Sequence, residues 1–289
     1  MRDVANLNAI ITGASRGVGP YISRRLARKK MNLVLVARSA TMLEAAAAEL
    51  RGHGVKAIVA PTDLAKREDL VALVDAAVQE FGTIDVLVNC AGVANVFSYH
   101  KLHADDIERG MQVNLIAPMI LTWMLLPVML ERGRGHIVNI SSIAGRAGPP
   151  YGEVYGASKA GLIGFTESLR AEYRGTGVSA SVILPGFVHG AGMYQDSKEK
   201  TGVIAPRWLG GCSPESVACA VLNAIEKDLA EVIVNVPPAR PLAVLLQISP
   251  WLREWVLRHI GYSAAFTRMA EANEHISGEL KGATPLWKR

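Results

Sequence analysis

Seven apolar runs of six or seven residues recur along the chain, and stretches with helical spacing separate them. The runs are 7–12, "NLVLVA" (32–37), "VKAIVA" (55–60), "IDVLVN" (84–89), "HIVNIS" (136–141), "VSASVIL" (178–184) and "EVIVNV" (231–236). Helical spacing covers 17–30, 40–51, 66–81, 104–131, 154–174 and 214–228. A strand with one wet face alternates apolar and polar residues, whereas these runs are almost continuously apolar, as burial on both faces requires. Strand–helix alternation of this kind predicts an α/β fold with about seven strands in a doubly wound parallel sheet, helices on both faces.

No proline–glycine linker divides residues 1–236, which are expected to form one domain. Residues 187–213 are rich in glycine and carry Phe187, Met193, Tyr194 and Trp208, the composition of a substrate lid. Residues 237–289 open with "PPARP" and read as a C-terminal helical extension packed on the domain or at an oligomer interface. Within it, 242–261 sets Leu242, Val244, Leu245, Leu246, Trp251, Leu252, Trp255, Val256 and Ile260 beside Arg253, Arg258 and His259. Peripheral membrane contact fits that pattern, but packing on the same subunit, over the pocket or between subunits is the preferred reading.

The net charge of +5 is dispersed, and the sparse aromatics are not interleaved with basic runs, so no nucleic-acid partner is expected. Cys90, Cys212 and Cys219 form no C-x-x-C pair, which suits a reducing compartment without structural disulfides. The N-terminal "MRDVANLNAI" is too short in apolar length for a signal peptide, and no transmembrane segment is expected. A cytoplasmic location and no metal site follow as expectations.

The first run leads into "LNAIITGASRGVG", in which Gly13, Gly17 and Gly19 precede a helix. Glycine supplies positive φ and lets a phosphate approach the backbone, and a helix N-terminus favours an anion. The second run ends Ala37-Arg38-Ser39, with no carboxylate to accept a ribose 2′-hydroxyl. Arg38 and Arg16 are cations suited to a 2′-phosphate, so the reading favours NADP(H) over NAD(H).

Further along, Tyr155 and Lys159 stand four residues apart, on one face of a helix. A phenol titrating near ~10 is a poor acid–base group at neutral pH, and a neighbouring cation draws its pKa down. The run 136–141 leads into Ser141-Ser142, a hydroxyl at the carboxyl end of the sheet, and Asn114 interrupts an apolar helix.

In order and spacing, Thr12-Gly13-x-x-x-Gly17-x-Gly19, Asp63, Asn89-Cys90-Ala91-Gly92, Asn114, Ser142, Tyr155-x-x-x-Lys159 and Pro185-Gly186 resemble the short-chain dehydrogenase/reductase family over residues 5–236. The resemblance implies a single Rossmann-type domain binding NADP(H), and a homodimer or homotetramer assembled through helices 104–131 and 154–174. It makes Tyr155 the proton donor to a carbonyl oxygen, Ser142 the group that holds that oxygen, Lys159 the cation beside Tyr155 and Asn114 the holder of a relay water. Ser142, not Ser141, stands at the family's interval from Tyr155. The implied cofactor contacts are Gly13, Ser15, Arg16, Gly17, Val18, Gly19, Arg38, Asp63, Leu64, Asn89, Ala91, Gly92, Tyr155, Lys159, Pro185, Gly186 and Val188.

Two departures stand out. Cys90 replaces the second asparagine of the family's N-N-A-G, a packing change. Gly190 stands where relatives carry a threonine that bonds the nicotinamide carboxamide, and a backbone amide is one replacement for it. Tyr151, Phe187, His189, Met193, Tyr194 and Trp208 line the expected pocket, which is apolar and suits a ketone or aldehyde on a lipophilic or cyclic skeleton. A keto-lipid reductase of 3-ketosphinganine or fatty-acyl type and a steroid-type hydroxy dehydrogenase are the alternatives within that class. A non-catalytic NADP(H)-sensing or scaffolding protein is the alternative outside it.

Overall fold

The computed structural model describes residues 3–206, 209–238, 249–259 and 261–278. Seven strands, β1 (Asn8–Thr12), β2 (Asn32–Ala37), β3 (Ala57–Pro61), β4 (Val86–Asn89), β5 (Gly135–Ile140), β6 (Val178–Pro185) and β7 (Glu231–Val234), pair in parallel in the order β3-β2-β1-β4-β5-β6-β7. The fold is the Rossmann-like doubly wound α/β sheet that the apolar runs predict.

Period-two alternation inside each strand divides the core into two layers. Ile11, Leu33, Leu35, Val86 and Val88 face one side, where they meet Ile22 and Leu26 of α1 (Gly19–Arg28), Leu43 of α2 (Ala40–Arg51) and Val217 and Val221 of α8 (Pro214–Lys227). Ile10, Val34, Val36, Leu87 and Ile137 face the other side. There they meet Leu70 and Leu73 of α3 (Arg67–Phe81), Leu121 and Leu125 of α5 (Ala117–Glu131) and Leu169 of α6 (Glu153–Glu172). Each fully buried Leu, Ile or Val contributes roughly 1.5–3 kcal/mol, so either layer alone outweighs any surface ion pair.

One helix differs from the sequence reading. Instead of a continuous helix over 104–131, α4 (Ala104–Met111) passes into a π-helical turn at Gln112–Ile116 before α5 begins. The Asn114 side chain bonds the backbone of Val93, and the wider turn accommodates that contact. The same stretch, 28 residues from Ala104 to Glu131, is long and apolar enough by composition to cross a membrane, a test that a buried core helix also passes. Half of its most apolar window is buried in the fold, where Leu121, Leu125 and Met129 pack under the sheet. Smaller shifts occur at element ends, where β3 starts at Ala57, β4 at Val86 and α1 at Gly19.

β2 and β3 lie to one side of β1, and β4 to β7 lie to the other, so the chain reverses direction across the sheet between β1 and β4. Open α/β sheets leave a crevice at the carboxyl ends of the strands at such a point. Past β6, α7 (Met193–Thr201) lies in the segment read as a lid. The extension holds α9 (Pro250–His259) and α10 (Tyr262–Gly278). Trp251 and Trp255 of α9 are exposed, while Leu242, Val244, Leu245, Leu246 and Ile260 of the amphipathic reading lie outside the described residues.

Candidate active site

The crevice between β1 and β4 is lined by backbone. Gly13 (φ 72°) and Gly17 (φ 65°) adopt left-handed conformations. A Cβ on Gly13 would lie 2.9 Å from Ala91 Cα, and one on Gly19 would lie 2.1 Å from the Gly13 carbonyl oxygen. The Thr12 hydroxyl ties the two strand ends together by accepting the amides of Cys90 (3.0 Å) and Ala91 (3.1 Å). Ser15 and Val18 are half-buried in the loop between the glycines. Helix α1 has Pro20 in its first turn, no side-chain cap and no acidic residue there, so its positive end is left to an external anion.

Arg38 is exposed just past β2, and no carboxylate stands within ion-pair distance of it among the described residues. Arg16 is also exposed and lies 3.6 Å from Asp196 of α7, so its charge is shared with the segment across the cleft. Leu64 is buried. The Asp63 carboxylate accepts the Ala65 amide at 3.1 Å and pairs with Arg109 at 3.4 Å, a partner on α4 that the sequence reading did not include.

On the other side of the crevice, β5 and α6 bring Ser142, Tyr155 and Lys159 together. The Ser142 hydroxyl accepts the Ala144 amide at 3.1 Å, donates to the Pro185 carbonyl at 3.4 Å and stands near enough to the Tyr155 phenol to favour its ionised form. Lys159 Nζ donates to the Ile140 carbonyl at 2.8 Å and stands 5.7 Å from the centre of the Tyr155 ring. Ser141 turns inward and donates to the Lys159 carbonyl at 2.8 Å, so it holds the helix while its neighbour faces the cleft.

Burial governs the titration of this set. It draws the Lys159 ammonium down to about 8, with an opposing pull from Cys90. It raises the Tyr155 phenol, against the lowering expected from Lys159, because burial outweighs the opposing influence of the Ser142 hydroxyl. The Cys90 thiol is pushed up to about 12 by burial, against the Lys159 charge, and is therefore inert.

Asn114 is committed on nearly every side. Its amide nitrogen donates to the Val93 carbonyl (2.8 Å) and the Ser158 hydroxyl (3.0 Å), and its oxygen accepts the Val93 amide (2.8 Å). One lone pair of that oxygen is left for a water. Asn89 is buried and donates to Asn139 at 2.8 Å, which donates in turn to Thr166, so its side chain braces β4 against β5. A Cβ on Gly92 would lie 3.5 Å from Asn114 Oδ1, 3.6 Å from Lys159 Nζ and 3.8 Å from Met193 Cε. The bare glycine keeps open the space where these three groups converge.

The segment after β6 folds over this space. Gly186 donates to the Val234 carbonyl at 3.0 Å, with Asn235 Oδ1 where a Cβ would stand. The bridge between Val188 and Cys212 uses the Phe187 carbonyl and the His189 amide, which leaves the Val188 amide out of that ladder. The Gly190 amide donates to Gln195 Oε1 at 3.3 Å, so in this geometry it is already engaged where relatives place a threonine. Phe187 packs on Tyr194 with ring centres 4.7 Å apart, and the exposed His189 meets the edge of Tyr194 at 5.4 Å. Tyr151 adopts a positive φ of 62°, and its carbonyl accepts the Phe97 amide at 3.1 Å. Trp208 lies outside the described residues.

Two aromatic residues near this site were not assigned from sequence. Tyr262 of α10 donates its hydroxyl to the Ala147 carbonyl at 3.2 Å, and Phe266 lies 6.2 Å from the Phe187 ring centre. Their spacing of four residues on one helix was the available signal, but an i, i+4 aromatic pair serves a core equally well.

The family pattern described as "short chain dehydrogenase" matches residues 7–202. A protein named "Ketoacyl reductase HetN" from Nostoc sp. is 41% identical over 266 residues, 90% of this chain and 91% of that protein. Among solved structures, an actinorhodin polyketide ketoreductase with NADPH gives a TM-score of 0.73 at 29% identity, over 80% of this chain and 96% of its own. A short-chain dehydrogenase/reductase from Burkholderia phymatum in complex with NAD gives 0.77 at 26% identity, over 88% and 97%. The cleft at the strand reversal, with its glycine cradle and its Ser142–Tyr155–Lys159 set, thus belongs to an oxidoreductase of the short-chain dehydrogenase family, acting on CH–OH and C=O groups.

Proposed function

We propose that this chain is an NADPH-dependent reductase of a ketone or aldehyde on a lipophilic substrate, with Tyr155 as the acid. The observation that carries the reading is the convergence of Ser142, Tyr155 and Lys159 at the carboxyl ends of the strands, beside a cradle that any Cβ would fill. That cradle fits a dinucleotide: Gly13, Ser15, Gly17, Val18 and Gly19 offer backbone and the uncapped end of α1 to a pyrophosphate. Arg38 and Arg16 supply the cations for a 2′-phosphate, and no carboxylate at the end of β2 opposes it. The Val188 amide, Pro185 and Gly186 line the nicotinamide end, and Asp63 and Leu64 line the adenine end. When bound, the dinucleotide supplies a hydride to the substrate carbon.

The chain's own residues handle the oxygen and the proton. Ser142 Oγ, once its proton leaves the long 3.4 Å bond to the Pro185 carbonyl, donates to the substrate oxygen as charge develops there, where a donor helps most. Tyr155 Oη gives that oxygen its proton, and burial keeps the phenol protonated until the transfer. Lys159 spends one N–H on Ile140 and keeps two, one for the ribose and one for the water at Asn114. Its ammonium stabilises the phenolate left after transfer.

Among substrate classes, a 3-oxoacyl chain is favoured over a steroid, since several relatives are named as ketoacyl or 3-oxoacyl reductases. The protein works in the cytoplasm in this reading, as a homodimer or homotetramer. The exposed Ile116, Met119, Trp123 and Val128 on the helical stretch 112–131 support the assembly. The test follows NADPH oxidation with acetoacetyl and longer 3-oxoacyl thioesters and with cyclic ketones. Wild type should turn over at least one class, and Tyr155→Phe should lose about 10²- to 10⁴-fold in kcat. Equal rates in both proteins, or no turnover with any ketone, would overturn the reading.

A further inference from the structure

The C-terminal extension comes closer to the reacting groups than its place in the sequence suggests. Helix α10 is fixed to the body at several points. Ala265, Met269 and Ala270 are buried, and α10 packs on α7. Asn273 donates to the Val96 carbonyl at 3.1 Å, and Glu274 accepts the Ser98 amide at 3.0 Å and the Lys101 ammonium. Against the upward pull of burial, those hydrogen bonds from Lys101 and Ser98 hold the Glu274 carboxyl down at about 2. The Glu274 side of this latch is therefore ionised at neutral pH.

This docking brings the first turn of α10 over the segment that follows Ser142. The Tyr262 hydroxyl is turned away to Ala147, which leaves its ring as a wall. Phe266 stacks on Tyr262 with centres 5.1 Å apart and on Phe187 at 6.2 Å, and Phe187 continues to Tyr194 at 4.7 Å. Four rings thus run from the catalytic loop to the segment after β6 with no charged side chain in the series.

We propose that Tyr262 and Phe266 are specificity-determining residues, which form the wall that the carbonyl's neighbouring carbons meet and so select a slim apolar chain over a bulky ring. The inference rests on the reductase reading above and names the substrate face of the same site. Both phenols are raised by burial, and orientation divides their roles, since the Tyr262 hydroxyl is spent on the Ala147 carbonyl.

The experiment compares kcat/KM for acetoacetyl thioester and for a bicyclic ketone such as decalone, in wild type, Tyr262→Ala, Tyr262→Phe and Phe266→Leu. Opening an apolar pocket by a ring shifts such a ratio by about tenfold or more. Tyr262→Ala should raise the bulky-to-slim ratio by about that much, and Phe266→Leu should move it the same way by less. Tyr262→Phe should keep the wild-type ratio and the wild-type pH profile. NADPH affinity should be unchanged in all three, because the wall stands on the substrate side.

If Tyr262→Ala folds poorly, Phe266→Leu alone still decides the sign. Wild type active on the thioester, with ratios within twofold in the Ala and Leu variants, overturns this inference and leaves the reductase reading standing. A Tyr262→Phe variant with a displaced pH profile also overturns it, since Tyr262 would then take part in proton transfer. Wild type inactive on both ketones overturns the reading underneath and this inference with it.

Discussion

On the β1–β3 side of the cleft the charged groups stand in water. Arg38 is exposed, and the Arg16–Asp196 pair is 64% and 55% exposed on its two side chains. On the β4–β6 side, Lys159 and Asn114 are 3% and 1% exposed, and each is fixed by backbone hydrogen bonds of 2.8 Å. One side binds with main chain and glycines and adds cations at the rim. The other spends stability to hold polar side chains in a dry place. Exposed ion pairs are worth about 0–1 kcal/mol, so the rim charges can change with little effect on the fold. A buried ammonium shifts its own pKa and cannot be exchanged so freely. The comparison can be broken at three points, taken from the largest expected effect to the smallest.

Gly19→Ala attacks the backbone side where it is least forgiving. Its Cβ would meet the Gly13 carbonyl oxygen at 2.1 Å and the Gly13 carbonyl carbon at 2.8 Å, both main-chain atoms that cannot rotate away. The loop and the start of α1 must then separate, and NADPH binding should fall below detection by calorimetry. Gly164→Ala, on α6 with nothing within 4 Å of the new atom, is the control. It should bind normally and gain up to about 1 kcal/mol from helix propensity. A Gly19→Ala protein that binds NADPH as wild type does would show that the cradle is not what holds the nucleotide.

Lys159→Met tests the cost of the buried side. The folded lysine titrates at about 8 and the unfolded one at 10.5. Below about 8 both states are charged and the folded state carries the full burial penalty. Between about 8 and 10.5 the unfolded chain binds more protons, so stability rises with pH, by at most about 3 kcal/mol. The Met variant lacks this dependence. It should melt a few degrees above wild type at pH 7, and the gap should close as pH rises toward 10.5. Its kcat should fall by about 10²- to 10⁴-fold at the same time. A variant less stable than wild type at pH 7 would mean that the Ile140 hydrogen bond outweighs the burial penalty.

What was legible in the sequence follows the same division. The sheet was readable because strands covered on both faces must be continuously apolar, and the glycine cradle because few residues other than glycine tolerate positive φ there. Ser142 was separable from Ser141 by the family's interval alone, and the structure gives the reason, since Ser141 is occupied by the Lys159 carbonyl. Asn114 was legible as a polar interruption of an apolar helix, but the π-turn it occupies was not, because that depends on its amide meeting Val93, 21 residues away. Arg109 against Asp63 and Tyr262 against Ala147 are longer-range still, with separations of 46 and 115 residues. Contacts of that range leave no local period in the sequence. Asn89, read as lining the cofactor cleft and bracing the central strands, donates its amide to Asn139 and so braces β4 against β5.

The smallest effect belongs to Arg38, and it bears most directly on the rim. If exposed cations select the cofactor, Arg38→Asp should move the preference from NADPH toward NADH by about 10- to 100-fold. That is the worth of one or two charge-assisted hydrogen bonds. Melting temperature should barely change, since the side chain stands in solvent past β2. The wild-type preference should also weaken as salt rises, because exposed charges are screened over ~10 Å at 0.1 M. Titrating both dinucleotides into both proteins at low and high ionic strength reads the preference and its salt dependence, and a melting curve of each protein reads the rest. A wild-type preference for NADH would remove the rim from cofactor choice altogether. A preference for NADPH that ignores salt would place the 2′-phosphate in a buried grip, and the two sides of the cleft would then bind by the same means.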